Sequence, residues 1–443
     1  MSSANRFSLI DPARSRVYYG YVILFIGTLG VWCSIPGQTI GVSVFTDPVM
    51  NALGLSRDQF SNAYALGTIC SSFFITRAGR WFDRFGARLV AFLATLMLAV
   101  SVFLCSQAAF MSSFIKQLLN TETVAVPFAL MLVLFFMIRF SGQGVLTMSS
   151  RNMIMMWFDK NRGKANAFTS VALSFGFSSA PLWLNELVEG QGWQRAWQYM
   201  AAGLVLFSLV LLQLYRNRPE DHGLQVDGTP SEAASSKTKT QRDFLELKRP
   251  FTLEEAKRTR AFWMYGLLLA FHSFFITGLT FHVVSIFESA GYEKSLAISL
   301  FLPASVVSVC FSTLFNFLSD YLRLKGFLFA MIAGGLMGST GLFYLHTPWG
   351  VPILTVGIGI MGGFFAVLNS VSWPRFFGRK HLGAIAGKVT SFLVLGSALA
   401  PSAFSYGYSQ LGSYRYLGLL AAGYLVVLLF GSIRANNPQQ SAS

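Results

Sequence analysis

The chain has 443 residues, of which 53% are apolar and only 12% are charged, and its mean hydropathy is +0.52. This composition excludes a soluble globular protein, which needs far more charge to cover its surface, and indicates an integral membrane protein. The net charge of +15 would suggest a nucleic-acid partner in a soluble chain. Here the basic residues lie in short breaks between apolar runs, where they set topology and contact anionic membrane lipids, so no nucleic-acid partner is expected.

Apolar runs long enough to cross a bilayer recur along the chain, since a hydrocarbon core about 30 Å thick requires roughly 20 helical residues. Six candidate spans precede a polar stretch, at 20–45, 58–79, 88–111, 127–150, 165–187 and 196–215. Six more follow it, at 261–287, 296–318, 326–345, 350–372, 383–407 and 414–433. The sequence therefore predicts an all-α integral membrane protein with twelve transmembrane helices. Its predicted domains are an N-terminal six-helix bundle (1–215), a linker (216–260) and a C-terminal six-helix bundle (261–443).

The predicted linker is rich in Pro, Ser, Lys and Thr, a composition typical of disorder. Near its end, Thr252 and Glu255 have the spacing of a capping box before an amphipathic helix that leads into the seventh span. The simplest interpretation is a tether followed by an interfacial helix.

The distribution of Lys and Arg predicts the orientation. If the N-terminus lies inside, the basic residues outside the membrane are few: Arg57, Lys116, Arg195, Lys294 and Arg415. Apart from two basic residues within spans, all the others fall on the inner side. The positive-inside rule then places both termini in the cytoplasm, with the chain in the inner or plasma membrane.

The two halves of the chain share an internal pattern. Two Gly/Gly/Pro triplets with the same intervals of 13 and 18 residues occur at equivalent helices: Gly163, Gly176 and Pro181 in the fifth span, and Gly383, Gly396 and Pro401 in the eleventh. The pattern indicates two pseudo-symmetric bundles related by duplication. Duplicated halves of this kind place a substrate site between them, near the bilayer midplane.

Two basic residues lie within spans, where ionisable groups are costly and usually functional. Arg139 is about 12 residues from either end of the fourth span, close to the midplane. It either binds substrate or clamps helices together. Lys388 lies about 7 Å into the eleventh span by helical rise, and it either binds substrate or extends to the interface. The repeat-related position holds Phe168, so the charge serves one half only.

Other polar residues within spans are further candidates. His272 and His282 share the seventh span, and histidine is the natural proton carrier near neutral pH. A packing role is an equal alternative for His272 and the preferred one for His282. Gln38 follows Pro36 and Gly37, where a helix break would expose it as a substrate ligand. Tyr64 in the second span is a weaker substrate-binding candidate, since interhelical packing explains it as well.

Missing residue types narrow the function. No Asp or Glu lies deep in any predicted span, whereas an exporter of cationic drugs needs a buried carboxylate to neutralise its cargo. Arg139 and Lys388 without a buried acid favour an anionic cargo. The sequence contains no Gly-x-Ser-x-Gly, HExxH or Walker motif, and its cysteines lack metal-binding spacing. We therefore expect no enzymatic activity, no cofactor and no metal.

The segment after the second span reads Gly79-Arg-Trp-Phe-Asp83-Arg84-Phe-Gly86-Ala-Arg88. It resembles the signature loop of the major facilitator superfamily, Gly-x-x-x-Asp-Arg-x-Gly-x-Arg/Lys. A weaker copy follows the eighth span, with Asn316 in place of the first Gly, then Asp320 and Arg323. The resemblance implies the major facilitator fold, and it implies that these loops hold the cytoplasmic helix ends together in the outward-facing state. The alternative for each copy is an ordinary charged turn.

A narrower resemblance is to the oxalate/formate antiporter and monocarboxylate porter branch of that superfamily. It rests on these motifs: Arg139-Phe-Ser-Gly142-Gln-Gly144, Arg151-Asn152, Trp157-Phe158, Arg162-Gly163-Lys-Ala165 and Arg375-Phe-Phe-Gly378. The branch implies that a Lys on the eleventh helix, here Lys388, holds the anion. It usually carries an Arg in its eighth helix as well, and 296–318 has no charged residue.

Together these features predict a monomeric secondary transporter that moves a small organic anion, mono- or dicarboxylate-like, by alternating access. Coupling would be proton symport through His272 or exchange against a counter-anion. A multidrug or hydrophobic-metabolite exporter is one alternative, and a non-transporting membrane receptor or scaffold is another. A nitrate carrier is disfavoured, because no Arg lies in the core of the second or eighth span.

Overall fold

The computed structural model describes residues 12–15, 17–228 and 248–441, and no residue in these ranges forms a β-strand. The N-terminal half contains ten α-helices in these ranges: α1 Gly20–Trp32, α2 Thr39–Ser43, α3 Thr46–Leu53, α4 Arg57–Phe85, α5 Ala87–Ser106, α6 Ala108–Leu118, α7 Ala125–Ile138, α8 Thr147–Trp157, α9 Arg162–Gln191 and α10 Trp193–Leu214. A π-helix, Arg139–Leu146, joins α7 to α8.

Eight further helices follow in the C-terminal half: α11 Leu253–Lys257, α12 Arg260–Ser289, α13 Lys294–Ser299, α14 Phe301–Ser319, α15 Leu324–Phe343, α16 Gly350–Phe377, α17 Leu382–Leu411 and α18 Arg415–Ser432. The predicted capping box is confirmed at α11, where the Thr252 hydroxyl accepts from the Glu255 N–H and the Glu255 carboxylate accepts from the Thr252 N–H. Most of the predicted linker, 229–247, lies outside the described residues, so its predicted disorder stays a prediction.

Eleven helices in the described ranges are long and apolar enough to cross a membrane, and they cover every predicted span except the second. The second span lies in α4, whose 29 residues would extend about 43 Å. Helix α4 is long enough but carries many polar residues, including Gln59, Asn62, Arg77, Arg80 and Arg84. The fold is therefore an all-α, multi-pass membrane fold in which one span is markedly polar.

The structure corrects the prediction that the signature segment forms a loop. Helix α4 continues to Phe85, so Gly79, Asp83 and Arg84 all lie within it. Helix α5 begins at Ala87, which leaves Gly86 as the whole connection. Gly86 has φ of 85°, in the left-handed region that favours glycine, and this allows the chain to turn in one residue.

The described residues divide into two compact units. The first holds those among Met1–Asp159, Ala172–Ser231 and Ala386–Ser391, and the second holds those among Lys160–Val171, Glu232–Ile385 and Phe392–Ser443. The start of α9 thus packs in the second unit, and one stretch of α17 packs in the first. The domain boundaries from the sequence stay a prediction.

Glycines bring α15 and α16 close together in the second unit. A Cβ on Gly357 would lie 2.7 Å from Cα of Gly338 and even closer to its N atom, and one on Gly341 would collide with the backbone at Leu354. Helices in a bilayer associate through such small residues, because lipid tails are as apolar as Leu side chains and hydrophobic burial gives no preference. This close packing orders the interior of the second unit.

We expect Gly357→Ala to destabilise the protein by about 1–3 kcal/mol, because backbone atoms of Gly338 cannot yield to the new methyl group as a flexible side chain would. Gly423→Ala in α18 is the matched control, since a Cβ there meets nothing within 4 Å. Thermal unfolding of the two purified variants in detergent measures the difference. Equal melting temperatures would contradict the tight packing of α15 on α16.

Candidate functional site

The helix of the first span is interrupted at Pro36 and Gly37, as the sequence predicted. Helix α1 ends at Trp32, a 3-10 turn covers Ile35–Gly37, and Gln38 is extended with φ of −93° and ψ of 156° before α2 begins. A Cβ on Gly37 would lie 2.7 Å from Cα of Gly142 and would collide with the carbonyl oxygen of Ile138. The broken segment therefore packs backbone to backbone against the fourth span.

The fourth span contains the π-helix Arg139–Leu146, which the sequence analysis missed. A π-turn widens the helix by one residue and occurs frequently at functional sites. Its sequence contains Gly142-Gln-Gly144, and these glycines were the available signal. Arg139 is the first residue of this irregular segment.

Arg139 is fully buried in the first unit and lies against the break. Its Nη1 donates to the carbonyl oxygen of Gly37 over 3.1 Å and to Oγ1 of Thr39 over 3.4 Å. The guanidinium carbon lies 5.2 Å from the ring centroid of Tyr64, a cation–π distance. The Tyr64 hydroxyl donates to the same Thr39 oxygen over 2.9 Å. The structure thus brings Arg139 and Tyr64 together, and it adds Thr39, which the sequence analysis missed.

Two nitrogens of Arg139, Nε and Nη2, are buried and have no hydrogen-bond acceptor among residues 12–15, 17–228 and 248–441. No ion pair joins Arg139 to an acidic side chain in the same ranges. A buried charge is normally paired or fully hydrogen-bonded, because an unpaired one costs several kcal/mol. The Nε–H and Nη2–H groups of Arg139 can therefore donate two parallel hydrogen bonds to an oxyanion.

Gln38 ties the break to α8. Its Nε2 donates to Oγ of Ser34 over 3.0 Å and to Oγ1 of Thr147 over 3.1 Å. The Thr147 hydroxyl lies 2.9 Å from the Ser34 oxygen, which completes a three-membered polar network. Both N–H donors of Gln38 are thus engaged, and its amide oxygen remains the atom for other contacts. Ser34 and Thr147 were also missed from the sequence.

The predicted histidines lie in the second unit. His272 is 9% exposed and stacks on Phe365, with ring centroids 4.2 Å apart. Its Nδ1 is buried without a hydrogen-bond partner in the described part of the chain. His282 lies 2.9 Å, through Nε2, from the carbonyl oxygen of Pro401, as a packing role requires.

Lys388 lies in the stretch of α17 that belongs to the first unit, and its side chain is half-buried. A Cβ on the preceding Gly387 would lie 3.2 Å from Cα of Gly79, and the Ser391 hydroxyl donates to the carbonyl oxygen of Ser72. This stretch therefore packs directly on α4. Phe168, the repeat-related residue, is 49% exposed.

The second copy of the signature motif caps α9 within the second unit. Asp320 accepts from the N–H groups of Gly163 over 2.8 Å and Lys164 over 3.3 Å, at the positive end of the helix dipole. Nη2 of Arg375 lies 3.8 Å from Oδ1 of Asp320. Asn316, which replaces the motif's glycine, accepts from the side chain of Asn166 over 2.7 Å. Burial raises the pKa of Asp320, against the opposing effects of these hydrogen bonds and of Arg375.

In the first copy, Asp83 is half-buried and Arg84 is exposed beside the ring of Phe85, 5.2 Å from its centroid. The N–H of Arg88 donates to Oδ1 of Asn217 over 3.0 Å, and its Nε donates to the carbonyl oxygen of Leu212 over 2.7 Å. Arg88 therefore holds the start of α5 against the end of α10. The proposed latch function of these residues stays a prediction.

The Major Facilitator Superfamily profile matches residues 20–373, and the chain belongs to this family of membrane transporters. A curated relative is the probable nitrate/nitrite antiporter NarK1 of Thermus thermophilus. It is 25% identical over 452 positions, which cover 93% of this chain and 90% of the relative.

Two solved structures show the same fold. The E. coli fucose:proton symporter FucP covers 94% of this chain and 99% of its own, with a TM-score of 0.62 and 12% identity. The match to the human organic anion transporter MFSD10 covers 93% of this chain and 99% of that structure, with a TM-score of 0.60 and 13% identity. Their names state a sugar and an organic anion, so the shared fold does not determine the cargo.

Asp320→Asn tests the balance between burial and hydrogen bonding at the α9 cap. Because burial raises the folded-state pKa above the unfolded value of about 3.9, the folded protein binds a proton first as the pH falls. We therefore expect the melting temperature of the wild type to rise relative to Asp320→Asn as the pH falls from about 7 to about 4.5. The opposite trend would mean that the hydrogen bonds from Gly163 and Lys164 dominate. Asp58→Asn, at an exposed position in α4, is the matched control.

Proposed function

We propose that this transporter moves a small organic anion, of the mono- or dicarboxylate type, by alternating access in an inner or plasma membrane with both termini cytoplasmic. The observation that carries the proposal is the buried guanidinium of Arg139, whose Nε and Nη2 have no acceptor among the described residues. A carboxylate has two oxygens with the spacing of those two donors, so it would neutralise the charge and satisfy both nitrogens.

A small inorganic oxyanion is the second candidate, and it is favoured by the 25% identity to the probable nitrate/nitrite antiporter. The absence of an Arg from the core of the second and eighth spans argued against nitrate, yet the planar Arg139 fork suits nitrate as well as it suits a carboxylate. Both candidates are anions. Export of cationic drugs is less compatible with an unpaired buried Arg, and membership of a transporter family disfavours a receptor or scaffold.

Each candidate residue has a proposed role around this anion. Arg139 binds the negative charge, and Tyr64 keeps the guanidinium in place through its ring and its bond to Thr39. Gln38 holds the break against α8, next to the anion. Lys388 supplies a second positive charge, used in one half only. His272 carries the coupled proton, unless transport proceeds by anion exchange.

Flux into proteoliposomes tests the anion proposal. We expect uptake of labelled mono- or dicarboxylates, weaker uptake of nitrate, and none of cationic solutes. Arg139→Gln should insert normally and lower anion affinity about ten- to hundredfold, since a hydrogen bond to a charged group is worth about 1.5–3 kcal/mol. Arg195→Gln, at an exposed position in α10, should transport normally.

Three outcomes would contradict the proposal. Preferential flux of nitrate would replace the organic anion by an inorganic one, and flux of cations would exclude both. Normal affinity in a poorly folded Arg139→Gln would assign Arg139 to helix packing instead.

His272→Ala tests the coupling role. The imidazole is buried against Phe365 with a free Nδ1 among the described residues, which suits a group that gains and loses a proton during the transport cycle. We expect the variant to lose pH-driven accumulation while it keeps anion counterflow. The exposed His346→Ala is the control. Unchanged pH dependence in His272→Ala would leave His272 with a packing role and favour exchange.

A further inference from the structure

A cavity of about 130 Å³ opens in the second unit at the ends of α12, α15 and α16. It is lined by side chains from these helices and from the C-terminal segment: Tyr265, Arg323, Lys325, Arg375, Asn436 and Gln440, with apolar neighbours. Tyr265 and Arg375 are buried at its base, whereas Arg323, Asn436 and Gln440 are exposed at its rim. We call it the Tyr265 cavity.

The lining of the Tyr265 cavity is strongly basic. Three of its residues, Arg323, Lys325 and Arg375, are positively charged, and none of its lining residues is acidic. Asp320 pairs with Arg375 from outside the lining and offsets part of one charge. The residues that line the cavity thus include three cations and no carboxylate, a composition that favours an anion.

The Tyr265 hydroxyl is a second, independent indication of a ligand. Tyr265 is fully buried and packs edge-on against Phe376, with ring centroids 5.0 Å apart. Its hydroxyl oxygen has no hydrogen-bond partner within the described residues, although Tyr265 is one of the residues that line the cavity. A buried hydroxyl without a partner is energetically costly, and an acceptor in the cavity would remove this cost.

Hydrogen bonds within the second unit hold the rim of the cavity in place. Lys325 donates through Nζ to the carbonyl oxygen of Ile433 over 2.7 Å and to Oδ1 of Asn436 over 2.6 Å. Gln439, which is 2% exposed, donates to the carbonyl oxygens of Arg249 over 2.9 Å and Phe376 over 2.8 Å. These contacts fix the C-terminal segment over the cavity, so its polar groups are preorganised for binding.

We propose that the Tyr265 cavity binds a single phosphate group. Its volume is well below the roughly 300 Å³ of a site for a drug-sized ligand, but it exceeds the roughly 30 Å³ of one water several times. Guanidinium, ammonium, phenol and amide groups line it, and the oxygens of a tetrahedral phosphate accept from several directions, whereas those of a carboxylate lie in one plane. The phosphate is either free inorganic phosphate or the headgroup of a phospholipid at the membrane surface.

The test uses the purified full-length protein and two variants, Tyr265→Phe and Arg323→Gln. Tyr265→Phe removes one oxygen and keeps the ring packing, and Arg323→Gln removes one rim charge. Tyr424→Phe and Lys380→Gln are the matched controls, since neither residue lines the cavity. One arm follows the melting temperature during titration with inorganic phosphate, against chloride at equal ionic strength. The other measures phosphatidylglycerol retained by the protein, using native mass spectrometry after transfer from vesicles that also contain phosphatidylcholine.

If free phosphate is the ligand, it should raise the melting temperature, and each cavity variant should need about tenfold more phosphate than the wild type and the controls. If a lipid is the ligand, inorganic phosphate should have no effect, and one retained phosphatidylglycerol should be lost in the cavity variants only. Neither effect in the wild type, or equal effects in all variants, would overturn the proposal. If Tyr265→Phe does not fold, Arg323→Gln decides by the same criteria.

Discussion

The burial of one guanidinium is the constraint around which the first unit is organised. A charge deep in a membrane span costs roughly 2.5–3.5 kcal/mol on insertion scales, so Arg139 needs compensating dipoles. The first span supplies them by breaking at Pro36 and Gly37, which frees the Gly37 carbonyl to accept from Nη1. The π-helix that begins at Arg139 and the close approach of Gly37 to Gly142 bring the two irregular segments together. Irregular backbone is tolerated at membrane depth when it is buried in protein in this way.

In the second unit, several charged and amide side chains form their hydrogen bonds and ion pairs at the ends of helices. Asp320 accepts from the first N–H groups of α9, where the helix dipole favours an anion, and Arg375 stands beside it. Lys325 and Gln439 bind carbonyl oxygens at the ends of helices and of the chain. His272 and His282 lie within α12 instead, where His272 stacks on Phe365 and His282 contacts the carbonyl oxygen of Pro401. The two units therefore place their charged groups differently. Arg139 lies within a span of the first unit, whereas Asp320 and Lys325 lie at helix ends in the second.

Much of the fold followed from local patterns. Eleven of the twelve spans, the capping box at Thr252 and the break at Pro36 were predicted because hydropathy, cap chemistry and the missing N–H of proline act over a few residues. The prediction of a loop after the second span was wrong. A charged segment that contains glycines resembles a loop in sequence, but here Gly86 alone, in a left-handed conformation, connects α4 to α5. Thr39 and Thr147 were missed because Ser and Thr are common in membrane helices, where most bond their own backbone.

The sequence by itself determined the class of protein, the number and approximate ends of its spans, and the shortage of buried acid that favours an anion. These properties depend on composition and on intervals of a few residues, which can be counted along the chain. Only the tertiary structure decided that Arg139, Tyr64 and Thr39 meet, that a π-helix begins at Arg139, and that Tyr265 lines a basic cavity. The contact between residues 39 and 139, and the cavity shared by residues 265 and 436, depend on how helices pack, and packing is set by the shapes of many side chains at once.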